Sequence, residues 1–393
     1  MPNRPELELL SACSSSSLDA GSLSRIRRLL DGTMDWDFLL RAAQWHGLTP
    51  LLHHNLHTLS DAVPVDVAER LRLGFEGAAR TNLALTAELL RILERFEANS
   101  IIAIPLKGPA LAAYLHGNVA LRQSIDLDIL VAPQDVPVAR QLLLAEGYEM
   151  TLRLNRAQES AHLRSDCNLA FVGRDRTCVV ELHWQIVPRY YAVPLDTAAF
   201  WTRLGSVVLG QRSVPMLSPE DLLLVLCIHG TKHSWERLSW VGDVAALIRR
   251  CREMDWELAV HRAQEVGAAR ILRLGSFLAN HLLGAALPPM MTNAIAADAV
   301  LDPLGQEVLH NLANIGFTEP GIRQRSRFFL RTRERWSDRF RYVLRFAWTP
   351  TPGDWSFVAL PNALTGLYPI LRVVRLAGKY GLGIWQHSEQ EPR

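Results

Sequence analysis

The spacing of apolar residues changes twice along the chain, and these changes divide it into three parts. Residues 1–98 carry apolar positions about 3.6 residues apart, which predicts helices. Residues 99–216 contain short β-branched runs between glycine turns, which predict strands. From Ser218 onward the helical spacing returns. The pattern predicts an α+β protein, with a small sheet in domain 99–216 and helical blocks at 1–98 and 217–393.

The region 101–131 has the most distinctive pattern. Its first residues, Ile101 to Leu106, predict a buried strand that ends at the glycine turn of Gly108. A proline follows, which suits the first position of a short helix over 110–116. Residues 126–131, with the sequence DLDILV, predict a second strand. Because side chains alternate along a strand, Asp126 and Asp128 are expected to point the same way, about 7 Å apart.

The remaining elements follow from the same two periods. Strands are predicted at 148–154, 168–172 and 177–184, with a small hairpin over 205–216. Helices are predicted at 6–10, 23–30, 36–46, 51–59, 65–98, 133–146, 219–251 (with a possible break near Gly230), 255–266, 268–284, 291–302, 304–315, 322–345 and 362–380.

Composition narrows the class of protein. With 393 residues, 49% of them hydrophobic and 21% charged, the chain has the make-up of a globular protein with two or three domains. A net charge of +2 gives no general field for nucleic acid, so a nucleic-acid partner is not favoured. Five scattered cysteines without CxxC spacing argue against a cysteine zinc site. There is no signal-peptide pattern and no apolar run of about 20 residues, so we expect a cytoplasmic protein without a membrane partner.

Three acidic residues are the candidate chemistry. Asp126 and Asp128 on one face repel each other unless a cation lies between them, and Mg²⁺ takes such oxygen ligands. Glu181 lies on another apolar run, 178–184, and can sit on a neighbouring strand. His183, two residues further, shares that face and is expected to be a minor contributor. The alternative is an exposed aspartate pair at the mouth of a strand, without a ligand.

Taken as a set, several short motifs resemble one family. They are LKG (106–108), LRxxxDLDILV (121–131), EGY (146–148), ELHW (181–184) and LCIHGTKHSWERLSWVGD (226–243). These resemble an uncharacterised bacterial nucleotidyltransferase family within the DNA polymerase β-like superfamily, over most of residues 35–345. The resemblance implies a small mixed sheet and transfer of a nucleoside monophosphate from an NTP to a hydroxyl or similar acceptor: a small molecule, a sugar or a protein.

The resemblance also implies roles for the acids. Asp126, Asp128 and Glu181 would be catalytic and would hold one or two Mg²⁺ ions, with Glu181 helping to deprotonate the acceptor. Gly108 and the amides after it would contact phosphate. Here the chain departs from the superfamily, because Pro109 stands where serine or glycine is usual. Serine-mediated phosphate binding is therefore in doubt.

Other cations and histidines are candidate nucleotide-binding residues. Lys107 would supply a point charge to the phosphates, or would be a solvated lysine at the end of a strand. Arg122 would reach a phosphate, or would be a surface arginine paired with a local acid. His229, Lys232 and His233 are expected to face the cleft from the helical block, with the lysine on the triphosphate.

Zinc is a poor alternative for the two histidines, which are four residues apart without a third obvious ligand. Trp235 and Trp240 are expected to be core residues. Asp243 would orient Lys232 or His233, or would be structural.

Two other functions stay open at this point. One is a non-catalytic module that keeps the fold to bind a nucleotide or a partner. The other is an RNA-modifying or toxin–antitoxin-type transferase that uses the arginines of 323–345, although aromatic residues interleaved with them favour arginine stems covering a core. Neither the NTP, the acceptor nor the oligomeric state follows from the sequence.

Overall fold

A mixed five-stranded sheet occupies the middle of the chain. The computed structural model describes residues 4–174, 176, 178–313, 321–358 and 360–380. The strands are β1 Ala103–Pro105, β2 Leu127–Val131, β3 Glu149–Met150, β4 Asn168–Val172 and β5 Val179–His183. Their spatial order is β1-β2-β5-β4-β3, with β2 and β5 parallel and the other neighbours antiparallel. A separate hairpin, β6 Gly205–Leu209 with β7 Arg212–Met216, confirms the one predicted there.

Helices precede, flank and follow the sheet. The N-terminal ones are α1 Pro5–Ala12, α2 Ala20–Leu30, α3 Trp36–Trp45, α4 Thr49–Leu56 and α5 Val65–Glu97. Those among the strands are α6 Gly108–His116, α7 Val136–Ala145 and α8 Arg156–Ser165. The C-terminal ones are α9 Pro219–Lys232, α10 Leu238–Arg250, α11 Trp256–Glu265, α12 Ala269–Leu283, α13 Pro289–Ala296, α14 Leu301–Ala313, α15 Ile322–Thr332, α16 Trp336–Trp348, α17 Pro352–Phe357 and α18 Tyr368–Tyr380. The predicted α+β class with flanking helical blocks is confirmed.

The core continues from the helices into the sheet. Helix α5 buries Leu85, Leu89 and Phe96 along the face predicted from its apolar spacing. Every residue of β2 is buried. None of the helices described here combines the length and the apolar character that crossing a lipid bilayer requires.

The helix predicted over 219–251, with a possible break near Gly230, is two helices, because the chain turns between α9 and α10. The turn contains Ser234 and Trp235, both with positive φ. The Trp235 ring is fully buried and folds back on α9, where its Nε1–H donates to Thr231 Oγ1 at 3.2 Å. A Cβ on Gly230 would lie 2.6 Å from this ring. Gly230 therefore makes room for the tryptophan rather than breaking the helix, and the expectation that Trp235 is a core residue is confirmed.

The predicted helix 322–345 is also two helices, α15 and α16. Between them the guanidinium of Arg333 is fully buried and donates to the carbonyl of Ala192 at 2.9 Å. It also pairs with Asp338 at 3.4 Å. The predicted helices 291–302 and 304–315 begin and end earlier than expected, as α13 and α14, and residues 314 and 315 lie outside the described residues.

We expect Gly230→Ala to destabilise the protein by about 1–3 kcal/mol, because the added methyl group overpacks the Trp235 ring. Gly77→Ala is the matched control, since a Cβ at that position of α5 meets nothing within 4 Å. That change should stabilise by up to about 1 kcal/mol through helix propensity. Urea unfolding of both variants measures the difference. Equal effects at the two positions would contradict this account of the turn.

Candidate functional site

The pairing of β2 with β5 brings the predicted acids together. In this parallel register Asp128 lies opposite Glu181, and Leu130 lies opposite His183. Asp126 comes one residue before β2, rather than inside the predicted strand. The Asp128 side chain is buried, with 3% of its surface exposed, so the alternative of an exposed aspartate pair is wrong for this residue.

A tight turn sets α6 beside the acids. Gly108 has a φ of +66°, a conformation that glycine adopts without strain. A Cβ added there would lie 3.4 Å from the backbone carbonyl of Asp126, so the turn and the start of β2 pack closely. Pro109 occupies the first turn of α6, as predicted. Gly108 thus shapes the turn beneath the acids.

Lys107 is held against the buried aspartate. Its Nζ lies 3.0 Å from Asp128 Oδ2, with 20% of the lysine side chain exposed, so a freely solvated lysine is contradicted. Burial alone would raise the pKa of Asp128. Lys107 and the hydrogen bond from His183 outweigh burial and hold this pKa well below its usual range.

His183 lies at the centre of the acid group, which makes it more than the minor contributor expected from the sequence. Its Nε2 is 3.0 Å from Asp128 Oδ1 and 3.2 Å from Glu181 Oε2. Its Nδ1 is 3.3 Å from the carbonyl oxygen of Gln185, to which an Nδ1–H donates. Burial lowers the pKa of His183, but these carboxylate contacts outweigh burial and raise it well above its usual value. The spacing of two residues between Glu181 and His183 on one strand was the available signal.

The other two acids titrate in opposite directions. Burial, followed by the neighbouring charge of Asp128, raises the pKa of Asp126 to about 6. Burial also acts against ionised Glu181, but the hydrogen bond from His183 outweighs it, and the pKa of Glu181 is lowered. Asn168 Nδ2 on β4 donates a further hydrogen bond to Glu181 Oε2. The group thus contains one carboxylate that ionises at a cost and two that the protein stabilises as anions.

Arg122 connects the acid group to the C-terminal helices. Its Nε lies 2.9 Å from Asp243 Oδ1, and its Nη2 lies 3.0 Å from Asp243 Oδ2. Burial lowers the pKa of Arg122, but Asp243 outweighs burial and the net shift is upward. The alternative of a surface arginine with a local acid is therefore wrong, because its partner is 121 residues away. Asp243 pairs with this arginine rather than with Lys232 or His233.

These side chains share one cleft of about 480 Å³. Eight of the nine predicted site residues line it, and Gly108 lies outside its lining. The eight are Lys107, Arg122, Asp126, Asp128, Glu181, His229, Lys232 and His233. The volume falls in the range of small-molecule sites, about 300–1,000 Å³. The cleft therefore collects acids from the sheet and cations from two parts of the chain.

Three rings form one wall of the cleft, the ring wall: His229 on α9, His233 directly after α9, and Trp240 on α10. His229 and His233 have ring centroids 4.8 Å apart, and Trp240 lies 5.1 Å and 5.2 Å from them. Trp240 lines the cleft and is half-buried, so it is not the pure core residue that was expected. Burial and nearby lysines lower the pKa of both histidines well below its usual value, which makes these rings neutral at pH 7.

The residues present suit a divalent cation. Asp128, Glu181 and His183 each offer one ligand atom, and these atoms all lie within 4.8 Å of one another. Among the acids, histidines and cysteines of the described residues, these three form the group with such geometry. His229 and His233 do not belong to it. The Nδ1 contact to Gln185 would fix the tautomer that leaves Nε2 free for a metal.

Comparison with known proteins agrees with this geometry. A family model described as an uncharacterised nucleotidyltransferase matches residues 32–284. The matched range contains the whole sheet and both helices of the ring wall. No curated protein and no solved structure matches the chain.

Asp126→Asn and Asp128→Asn should change stability in opposite directions in metal-free protein. Because the pKa of Asp126 is raised in the folded protein, the protonated carboxyl stabilises the fold at a pH below the ordinary pKa of aspartate. This stabilisation is lost as the pH rises through about 6. At pH 7.5 the Asp126→Asn variant should therefore have a higher melting temperature than the wild type. Its free energy of unfolding should be larger by on the order of 1–2 kcal/mol. At pH 4.5, which lies between the ordinary value and about 6, the gain in stability should be smaller. Asp128→Asn leaves Lys107 and His183 without their shared anion, so it should cost about 3–5 kcal/mol.

Thermal melts in EDTA at the two pH values measure these shifts. A loss of stability in both variants at pH 7.5 would contradict the electrostatic account of Asp126.

Proposed function

Because the chain belongs to the uncharacterised nucleotidyltransferase family, we propose that it transfers a nucleoside monophosphate from an NTP to a hydroxyl or similar acceptor. The observation that carries the proposal is the convergence of Asp126, Asp128 and Glu181 with two lysines in one cleft. A bound divalent cation would neutralise the phosphates and stabilise charge on the attacking and leaving oxygens.

The reaction needs one bond to form and one to break. The acceptor oxygen bonds to the α-phosphorus, the bond from that phosphorus to the bridging oxygen breaks, and pyrophosphate leaves. The acceptor proton goes to a carboxylate, for which we propose Glu181, ionised because its pKa is lowered. Its hydrogen bond from Asn168 holds the carboxylate in position.

Lys232 is the proposed phosphate contact on the helical side. It lines the cleft, and among the residues described it forms no ion pair with a carboxylate. Its ammonium is therefore available to the triphosphate. Lys107, held on Asp128, is the matching cation on the sheet side. The guanidinium of Arg122 is already paired with Asp243, so we propose that Arg122 positions the turn before β2 and does not bind phosphate.

The ring wall is the proposed place for a planar group. His229, His233 and Trp240 present neutral aromatic surface to the cleft, which suits stacking of a base or an aromatic acceptor. A neutral wall leaves the recognition of charge to the two lysines.

A small acceptor is favoured over RNA by the contacts of the C-terminal arginines. Arg331 pairs with Glu307, and Arg325 pairs with Glu236 at 3.1 Å. Arg339 donates to the carbonyl of Arg333 at 2.9 Å. These arginines hold helices together. The cytoplasm stays our prediction for where the reaction takes place.

The test is transfer of label from each of the four NTPs, labelled on the α-phosphate, to acceptors in a cell extract. We expect label on an acceptor with wild-type protein and none with Asp128→Asn or Glu181→Gln. Glu149→Gln, an exposed acid on the edge strand of the same sheet, is the matched control and should keep full activity. Lys232→Met should raise the KM for NTP more than about tenfold, since one charge-assisted contact is lost.

No transfer by the wild type, with nucleotide affinity unchanged in Asp128→Asn, would instead support the non-catalytic binding module. Label found on RNA would revive the RNA-modifying alternative.

Metal affinity tests the ligand set separately from activity. We propose that His183 joins Asp128 and Glu181 as a ligand, and imidazole nitrogen suits transition metals better than Mg²⁺. Mn²⁺ should therefore bind more tightly than Mg²⁺, and His183→Asn should weaken Mn²⁺ at least about tenfold. Loss of the free Mn²⁺ signal in electron paramagnetic resonance measures the binding. His229→Asn, in the same cleft but outside the ligand group, should leave Mn²⁺ affinity unchanged, and equal losses in both variants would exclude His183 as a ligand.

A further inference from the structure

The outer face of α16 is apolar, although it faces solvent. Its exposed residues lie on one side of the helix at spacings of three and four: Trp336, Phe340, Val343 and Leu344. Trp336 is 78% exposed and Phe340 is 60% exposed. The opposite side packs inward through Asp338 and Tyr342. The helix thus buries the charged Asp338 and exposes Trp336 and Phe340, the reverse of the usual arrangement.

The neighbouring helix α18 repeats this arrangement. Ile370, Val373 and Val374 are exposed at spacings of three and four. Arg372 points inward, where its Nε donates to the carbonyl of Phe346 on α16 at 2.7 Å. Two adjacent helices therefore present apolar stripes to solvent. Single exposed apolar residues are common on protein surfaces, but a continuous apolar surface usually marks a binding site.

The same part of the chain has a large excess of basic over acidic residues. Residues 321–380 contain 11 arginines and one lysine against three acids. The whole chain has 42 basic and 40 acidic residues, so the remainder has 30 basic and 37 acidic ones. The protein is therefore divided into a basic C-terminal part and an acidic remainder. The matched family range, 32–284, ends before the basic part begins.

A groove beside α16 combines cationic and apolar walls. It encloses about 720 Å³ and includes Arg164, Arg189 and Arg345 together with Leu344 and Trp348. Within the described residues none of the three arginines forms an ion pair with a carboxylate, and Arg345 Nη1 donates instead to the carbonyl of Arg189 at 3.3 Å. Burial and then the charges of Arg189 and Arg341 lower the pKa of Arg345. Three arginines without an acid at an apolar wall suit a ligand with an anionic head and a hydrocarbon body.

We propose that this face binds the surface of an anionic lipid bilayer, with a lipid phosphate in the arginine groove. Exposed tryptophan and phenylalanine beside arginine are the residues that lie at the boundary between headgroups and acyl chains. A second copy of the chain is disfavoured, because a two-fold interface would place the arginines of this face against themselves. The acidic remainder of the protein is repelled by the same surface, which orients the molecule on it.

Vesicle sedimentation with the full-length protein tests the proposal. We expect binding to vesicles of phosphatidylcholine with phosphatidylglycerol, and none to phosphatidylcholine alone. Each arginine near an anionic bilayer contributes roughly a fivefold factor, so Arg189→Gln with Arg345→Gln should weaken binding on the order of 20-fold. Trp336→Ser with Phe340→Ser should also weaken it. The matched controls, Arg28→Gln and Leu83→Ser, change exposed residues of α2 and α5 and should bind like the wild type.

Equal binding to the two kinds of vesicle, or no binding to either, would overturn the proposal. A dimer in sedimentation velocity that Trp336→Ser dissociates would assign the face to a second copy instead. Stabilisation by inorganic phosphate without vesicle binding would reduce the groove to a free-phosphate site and would equally overturn it. The wild-type comparison decides the matter even if a variant fails to fold, and none of these readouts depends on nucleotidyl transfer.

Discussion

The parallel pairing of β2 with β5 is the constraint on which the site depends. It places Asp128 opposite Glu181, and His183 two residues further along β5 on the same face. A slip of one residue would turn one strand's side chains to the other face. The fully buried Ile129 and Leu182, which lie opposite each other in this register, oppose such a slip. The chemistry of the cleft therefore rests on apolar packing behind it.

The two aspartates of the cleft differ in how well neighbouring charges compensate them, and so in their effect on the stability of the fold. Lys107 and His183 compensate Asp128, so this carboxylate stabilises the fold as an anion. Asp126 lacks comparable compensation, and its raised pKa means that keeping it ionised costs stability. The positive charge of a cation held by Asp128 and Glu181 would reduce that cost. A group that lowers the stability of the folded protein in this way is typical of a site that binds a charged ligand.

Sequence patterns predicted the class of fold, the order of elements and most of the cleft, because buried strands and amphipathic helices have strong periods. They failed where the packing or pairing of a single side chain decides the local structure. The turn after α9 depends on Trp235 packing against Gly230, and the break before α16 depends on the burial of Arg333. The partner of Arg122 is likewise far away in the chain. His183 was undervalued because its Gln185 contact is set by the path of the backbone, which spacing does not reveal.

The C-terminal helices are joined to the cleft by an ion pair. Glu236 lines the cleft and pairs with Arg325 of α15 at 3.1 Å, with 8% of the glutamate side chain exposed. Breaking such a shielded pair costs far more than breaking a surface pair, so α15 and the cleft wall are expected to move together. The pair also joins the part of the chain that matches the family to the basic part that follows it. Through α15, the basic part of the chain is therefore tied to the wall where the histidines and Lys232 lie.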